Sequence, residues 1–287
     1  MAVILVTGAN GTVGAAVVVE LRLAGVAFRS AVRTPAPEVA QEVLFDFTDP
    51  STWDQAFQGV TSLFLVRPPA IGNVKRDLLP AVAAARAAGV THVVFLSLQG
   101  AERNKMVPHA AVEEWLQDSG MAFTFVRASF FHQNLSTTHV SDIRDRDEIL
   151  VPAGAGATAF VDACDVGAVA AAALVNPHDH ANRAWTVTGP RALTYQQVAE
   201  VLSAELDRPI RYRRPGALRY VRHARQQLAM PWAMVAVTTA IYTLARLGKA
   251  AGLSTDVNTV LGRPPLDFAE FAHRERLAWI PTQQPPQ

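Results

Sequence analysis

Cysteine occurs once in this 287-residue chain, at Cys164, so no intrachain disulfide can form. That scarcity fits a reducing compartment, and a cytoplasmic protein is expected. Neither sign of charge is in excess: 26 Lys and Arg stand against 25 Asp and Glu. A net charge of +1 leaves no electrostatic footprint for nucleic acid, so none is expected as a partner. Met1 runs directly into an apolar segment, so no secretory leader is expected. Long uncharged runs are also scarce. The stretch Leu228 to Ala245 is one, but Pro231 interrupts it and Thr238, Thr239 and Thr243 dilute it. A membrane span needs roughly 20 apolar residues, so a buried helix or an apolar lid is expected there and no membrane partner, with membrane association as the alternative. Tyrosine is missing from the first 194 residues; the four are Tyr195, Tyr212, Tyr220 and Tyr242. No metal site is expected either, because His178-Asp179-His180 has loop spacing and no third ligand.

What is present is concentrated at the start. Ala2 to Val6 is a continuous apolar run, the pattern of a strand buried on both faces. Thr7, Gly8, Ala9, Asn10, Gly11, Thr12, Val13 and Gly14 follow, and Ala15 to Ala24 reads as a helix. A strand, a Gly-rich turn and a helix together cradle the pyrophosphate of a dinucleotide: backbone approaches phosphate closely, and the helix N-terminus offers free N–H groups. The spacing here is Gly8-x-x-Gly11-x-x-Gly14. Thr7, Gly8, Asn10, Gly11, Thr12, Val13 and Gly14 are the expected contacts.

The alternation then continues. Strands are expected at Ala27–Val32, Glu42–Phe47, Thr61–Val66, Thr91–Ser97 and Ala122–Arg127, with helices between them. Gly72 to Ala88 reads as one helix that Pro80 kinks or delays. This pattern predicts an α/β fold: a Rossmann-type doubly wound parallel sheet with a smaller, mostly helical C-terminal substrate lobe. The expected boundaries are 1–129 and 157–188 for the cofactor domain, and 130–156 and 189–287 for the substrate lobe. Further on, Ser136 to Asp147 reads as a surface helix, Asp165 as a helix cap and Thr194 as another. Pro37 marks a loop, and Gln283 to Gln287 a frayed tail.

Cofactor choice turns on the end of the second strand, where an acidic residue would hold a ribose hydroxyl. None stands there. Arg33, with Arg29 near it, meets a 2′-phosphate or is a solvated loop charge; NADP(H) is expected over NAD(H). Asp46 and Phe47 lie where adenine would pass, and Asp46 either accepts from its amine or, like Asp49, caps the next helix. Val66 and Arg67 close the fourth strand beside the cofactor path. Ser97 and Leu98 end the fifth, facing the nicotinamide, with Gln99 next to a substrate.

Several segments resemble the NmrA-like group of the atypical short-chain dehydrogenase/reductase superfamily. They are Gly8-x-x-Gly11-x-x-Gly14, Ser97-x-x-Gly100, Pro108-His109…Glu113…Leu116…Ser119-Gly120 and Val126-Arg127-Ala128-Ser129-Phe130-Phe131-x-x-Asn134. Phe160-Val161-Asp162-x-x-Asp165-Val166, Thr188-Gly189-Pro190, Leu261-Gly262-Arg263-Pro264-Pro265 and Phe268-x-x-Phe271 extend the likeness almost to the C-terminus. The resemblance implies an NAD(P)H-dependent quinone, azo-dye or triphenylmethane-dye reductase, or a regulator that binds the dinucleotide without turnover. A secondary-metabolism tailoring reductase is a third possibility. Short-chain dehydrogenases protonate a carbonyl with Tyr-x-x-x-Lys. Aligned on Glu113, this chain offers Lys105 and His109 instead. Lys105 is a general acid or an exposed loop residue; His109 is a ribose or substrate contact or a plain helix residue. Hydride delivery to a quinone or cationic dye needs little acid help, so a flat aromatic substrate is expected. Phe130, Phe131 and Trp232 are candidate walls for it or core residues, and Asn134 and Gln99 could orient its oxygen. The protein would be a monomer or homodimer.

Overall fold

A computed structural model describes residues 3–36 and 38–281. The expectations for Ala2, Pro37 and the tail from Gln283 lie outside the described residues. The chain divides into two compact units. One comprises Met1–Ser129, Ala163–Val187 and Asp256–Arg263; the other comprises Phe130–Asp162, Thr188–Thr255 and Pro264–Gln287.

The first unit is built on seven strands. β1 (Val3–Thr7), β2 (Phe28–Val32), β3 (Glu42–Leu44), β4 (Val60–Val66), β5 (His92–Leu98) and β6 (Ala122–Ala128) are joined by the strand Arg183–Val187. Their order is Arg183–Val187, β6, β5, β4, β1, β2, β3, and every pair is parallel. This is the Rossmann-type doubly wound sheet that the alternation predicts, and its strand order reverses between β1 and β4, where such sheets bind ligands. Leu63, Phe64 and Leu65 on β4 and Val93, Val94 and Phe95 on β5 are consecutive and all buried. Helices cover both faces, so polar alternation is absent from these strands. The helix Ala163–Val175 lies against the first helix, Thr12–Leu23, at Gly167. A Cβ there would come within 2.5 Å of the Ala16 methyl.

Residues 256–263 belong to this unit although they lie far along the chain. The Asp256 carboxylate accepts from the Thr186 amide at 2.7 Å, and Arg263 pairs with buried Asp165 at 2.7 Å. Asp165 is thus an ion-pair partner inside the first turn of Ala163–Val175, rather than the cap expected. The expected helix from 72 to 88 is two, Val74–Asp77 and Leu79–Ala87, with Pro80 in the first turn of the second. Proline has no N–H and is tolerated only at such a start.

The second unit has short strand pairs and helices around an aromatic core. Tyr195, Tyr212, Tyr220 and Tyr242 are all buried there with Phe160, Phe268, Phe271 and Trp279. Thr194 caps Tyr195–Leu206 in a capping box with Gln197, as expected. Two expectations fail. The 136–147 segment is helical only over Val140–Arg146, and its Asp142 and Ile143 are fully buried. Burial opposes ionisation of Asp142, but the His223 ring hydrogen-bonded at 2.7 Å and the His139 ring 4.0 Å away outweigh it and hold the carboxyl well below the usual range. Arg146 completes the cluster at 2.6 Å. The apolar run forms Trp232–Arg246, of which only Val235, Tyr242 and Ala245 are buried. Among the described residues no helix is long and apolar enough to cross a membrane.

Candidate cofactor and active site

The Gly-rich turn has the geometry of an anion cradle. Gly8 sits at φ +63°, and its carbonyl accepts from the Gly11 amide at 2.8 Å. A Cβ on Gly14 would fall on the Gly8 carbonyl oxygen and carbon, so helix and turn approach each other as only glycine permits. Gly11 caps Thr12–Leu23 without a side-chain hydrogen bond, and the first turn carries no acid. Its early N–H groups and the positive end of the helix dipole are left to a ligand. Asn10 and Thr12 are exposed at this end and Val13 is buried beneath it. Thr7 is used differently: its hydroxyl donates to Phe64 O and accepts from Val66 N–H, both at 2.9 Å. It staples β1 to β4, and the Val66 side chain packs at 3.5 Å from where a Gly8 Cβ would be. A dinucleotide pyrophosphate fits this cradle.

Beyond β2, Arg33 is exposed and acts on Asp46 through its charge. Asp46 is held below the ordinary carboxylate range first by the Thr48 amide and hydroxyl, and then by Arg33. It forms a local turn, while Asp49 caps the next short helix by accepting from Ser51 N–H. Arg29 does not join Arg33; it donates to Gln58 O at 2.8 Å. Phe47 packs edge-on against Phe45 with centroids 4.8 Å apart.

At the carboxyl ends of β4, β5 and β6 a polar group assembles. Arg67 is half-buried and donates to Pro68 O and Ile71 O, leaving its Nε buried with no partner among the described residues. Ser97 is buried and donates to Glu113 at 2.5 Å; Leu98 is exposed and Gln99 half-buried. His109 stacks on Phe95, its Nδ1 buried with no partner among the described residues. Burial, and then the Arg67 charge, push its pKa down to about 4. The imidazole is therefore neutral at pH 7 and cannot replace a lysine as a cation. Lys105 lies exposed in the turn before Pro108–Asp118, because Pro108 starts that helix. The i, i+4 helical relation that Tyr-x-x-x-Lys requires is absent between Lys105 and His109.

The sequence reading treated Glu113 only as an alignment marker and overlooked Arg127 as a partner. Glu113 is buried on the inner face of Pro108–Asp118 and receives Arg127 through Nε at 3.0 Å and Nη2 at 2.6 Å. Arg127 also meets Glu102 at 3.3 Å. A charged residue inside the apolar Phe123–Ala128 run was the available signal.

In the second unit, Phe130 is half-buried and meets Phe160 and Tyr242 edge-on, so its ring is largely committed to the core. Phe131 and Asn134 are half-buried. Trp232 is 66% exposed, with the Arg225 guanidinium 4.9 Å above its ring. No group of metal-ligating side chains occurs among the described residues. His180 instead accepts from Trp185 Nε1.

Residues 1–242 match the NmrA-like family. The chain belongs to this family. An NAD(P)H azoreductase of Xenophilus azovorans is 37% identical over 290 residues, covering 96% of this chain and 99% of that protein. Two solved structures share the NmrA-like fold. The NADP(H) complex of a Citrobacter triphenylmethane reductase gives a TM-score of 0.81 at 22% identity, covering 96% of this chain and 100% of that one. The NADPH complex of an Escherichia coli quinone oxidoreductase gives 0.82 at 23%, covering 95% and 99%.

His109 is one of two imidazoles pushed down to about 4 in this NmrA-like sheet unit, where burial also lowers His180. His92 is also pushed to about 4, by burial and then by the His180 charge; Thr124 lies 2.9 Å from its Nε2. Both are neutral when folded but would protonate near 6.5 in the unfolded chain. The unfolded state therefore binds more protons between these values. The stability is full above 6.5 and is lost as pH falls toward 4. Acidification from pH 7 to pH 5 is expected to remove about 2 kcal/mol per imidazole. Urea unfolding at the two pH values checks this: His92→Gln should lose about 2 kcal/mol less than wild type on acidification.

Proposed function

We propose that this chain is an NAD(P)H-dependent reductase that delivers hydride to a quinone-like or other conjugated aromatic acceptor. The observation that carries the reading is a pair of facts. The pyrophosphate cradle is intact, and all four tyrosines are buried in the second unit's core. Burial pushes those phenols above their ordinary range, the wrong direction for a ready proton donor. Reduced nicotinamide supplies the hydride when bound. The chain's own residues bind and orient: Gly8, Gly11 and Gly14 hold pyrophosphate, Arg67 and neutral His109 line the carboxyl ends of β4 and β5, and Ser97 is fixed by Glu113. An acceptor whose reduced form is a stabilised oxyanion or a neutral leuco product needs no acid, and solvent completes the proton balance. Phe131, Asn134 and Gln99 remain our proposed acceptor contacts, with Phe130 and Trp232 in lesser roles; Lys105 is at most a surface proton source. The azoreductase named above supports the reaction class.

The deciding experiment is NADPH oxidation with a panel of quinones, azo dyes and triphenylmethane dyes. Acceptor-dependent oxidation is expected. Tight NADPH binding with no acceleration by any acceptor would favour a dinucleotide sensor. We further propose that NADP(H) is preferred over NAD(H), through Arg33, in a cytoplasmic monomer or homodimer. Arg33→Ala is expected to weaken NADPH by about 10–100-fold, the worth of a charge-assisted phosphate contact, and to leave NADH nearly unchanged. Equal losses in the two titrations would reject the assignment.

A further inference from the structure

Between Arg208 and Thr255 the chain has nine Lys and Arg and no Asp or Glu. The remaining 17 basic residues are outnumbered by 25 acidic ones, so the near-neutral total conceals a strongly segregated charge. Arg208 and Arg213 pair with Asp147 and Glu148. Among the described residues the other seven form no ion pair.

The same segment carries seven of the fourteen large hydrophobic side chains that are exposed among the described residues. Most lie on Trp232–Arg246. One face of this helix buries Val235, Tyr242 and Ala245. The opposite face, at helical spacing, is Ala233, Val237, Ala240 and Leu244, with no polar side chain among them. Val237 is 54% exposed, Leu244 47% and the following Leu247 63%. A helix apolar on both faces is ordinarily enclosed in a core or in a bilayer. This one has 15 residues, a length of about 22 Å, which is short of the roughly 30 Å hydrocarbon layer. It can lie in a bilayer surface but cannot cross it.

The neighbouring helix Ala217–Gln226 supplies the matching charge. Tyr220 on it donates to Thr238 at 2.8 Å, joining the two helices, and Arg219 and Arg222 stay exposed. Arg225 stacks on Trp232, and Arg246 and Lys249 stand exposed at the far end.

We propose that the face formed by Ala217–Gln226 and Trp232–Arg246 docks on an anionic phospholipid surface, with Val237 and Leu244 entering the acyl boundary and the arginines meeting headgroup phosphates. Charge complementarity selects this occupant. A second copy of the chain would oppose like charge to like, and a neutral apolar partner would leave Arg219, Arg222, Arg225, Arg246 and Lys249 without a counter-charge. An anionic bilayer meets both the apolar and the cationic demand, and a tryptophan at the start of the helix suits the headgroup level. The proposal revises the sequence expectation of no membrane partner, and its test needs no turnover.

The experiment is sedimentation of the full chain with vesicles of phosphatidylcholine alone, or of phosphatidylcholine with an equal part of phosphatidylglycerol. Partitioning onto the anionic vesicles is expected to be at least about tenfold stronger, and to weaken in high salt as screening shortens. The double variant Val237→Asp, Leu244→Asp, at two exposed positions, should lose vesicle binding while keeping wild-type thermal unfolding and NADPH affinity. Arg219→Ser with Arg222→Ser should reduce only the preference for anionic vesicles. Equal partitioning of wild type and the double Asp variant would overturn the proposal. So would a concentration-dependent dimer that the same double variant dissociates, because the face would then belong to a second copy.

Discussion

Gly14→Ala is expected to reduce NADPH affinity by about 5–150-fold while leaving a folded protein. The added methyl would fall on the carbonyl oxygen and carbon of Gly8 and near Ala9 Cα, all backbone atoms. No side-chain rotation relieves such an overlap, so the turn itself must move away from the helix. Overpacking of this kind costs about 1–3 kcal/mol, and each 1.4 kcal/mol is tenfold in affinity. The strain falls on the segment whose N–H groups would meet pyrophosphate, so it appears in binding as well as in stability. The sheet does not depend on that turn: β1 pairs with β2 and β4 over Val3–Thr7, before the turn begins. Gly72→Ala, where an added Cβ meets nothing within 4 Å, is the matched control and should bind as wild type does. Fluorescence titration of NADPH, with circular dichroism on the same samples, checks both. A Gly14→Ala variant that binds within a few-fold of wild type would show that the turn has room the backbone geometry denies.

The cradle was legible in the sequence because its determinants are contiguous. A buried strand, three glycines and a helix run without a break from Val3 to Leu23, and each must be what it is for local steric reasons. The parallel sheet was legible for a related reason: strands covered on both faces read as unbroken apolar runs, as Leu63 to Leu65 do. What escaped was every feature fixed by a distant partner. Asp142 looked like a surface acid because His223, 81 residues on, is its partner. Asp165 looked like a cap until Arg263 supplied a counter-charge. The helix Trp232–Arg246 was expected to be a buried helix or an apolar lid because its stretch is apolar and uncharged; composition alone cannot say that one side of it faces solvent. Lys105, read as a general acid or an exposed loop residue, lies exposed in the turn for a local reason that the sequence did contain. Pro108 sets the helix start, so Lys105 precedes that helix.

Glu113→Ala is expected to destabilise the chain by about 3–5 kcal/mol, the magnitude seen when one member of a buried ion pair is removed. Arg127 is only 15% exposed at its side chain and Glu113 only 5%, so the guanidinium cannot recover hydration when its partner is lost. Glu102 lies 3.3 Å from Arg127 and is a third exposed, which gives it a weaker hold on the charge. Arg127→Met in the same background should restore much of the loss, because an apolar side chain of similar length leaves no orphaned charge at the site. That rescue separates a charge effect from a packing effect: truncating Glu113 leaves a cavity whichever residue stands at 127. The ion pair also fixes Ser97, whose hydroxyl donates to the same carboxylate oxygen that receives Arg127 Nε. Releasing Ser97 at the end of β5 should therefore raise the KM for NADPH in the Glu113→Ala variant. Urea unfolding measures the first effect and NADPH kinetics the second. If Glu113→Ala unfolds within about 1 kcal/mol of wild type, Arg127 has found water, and its pairing with Glu113 is not what secures the carboxyl ends of β5 and β6.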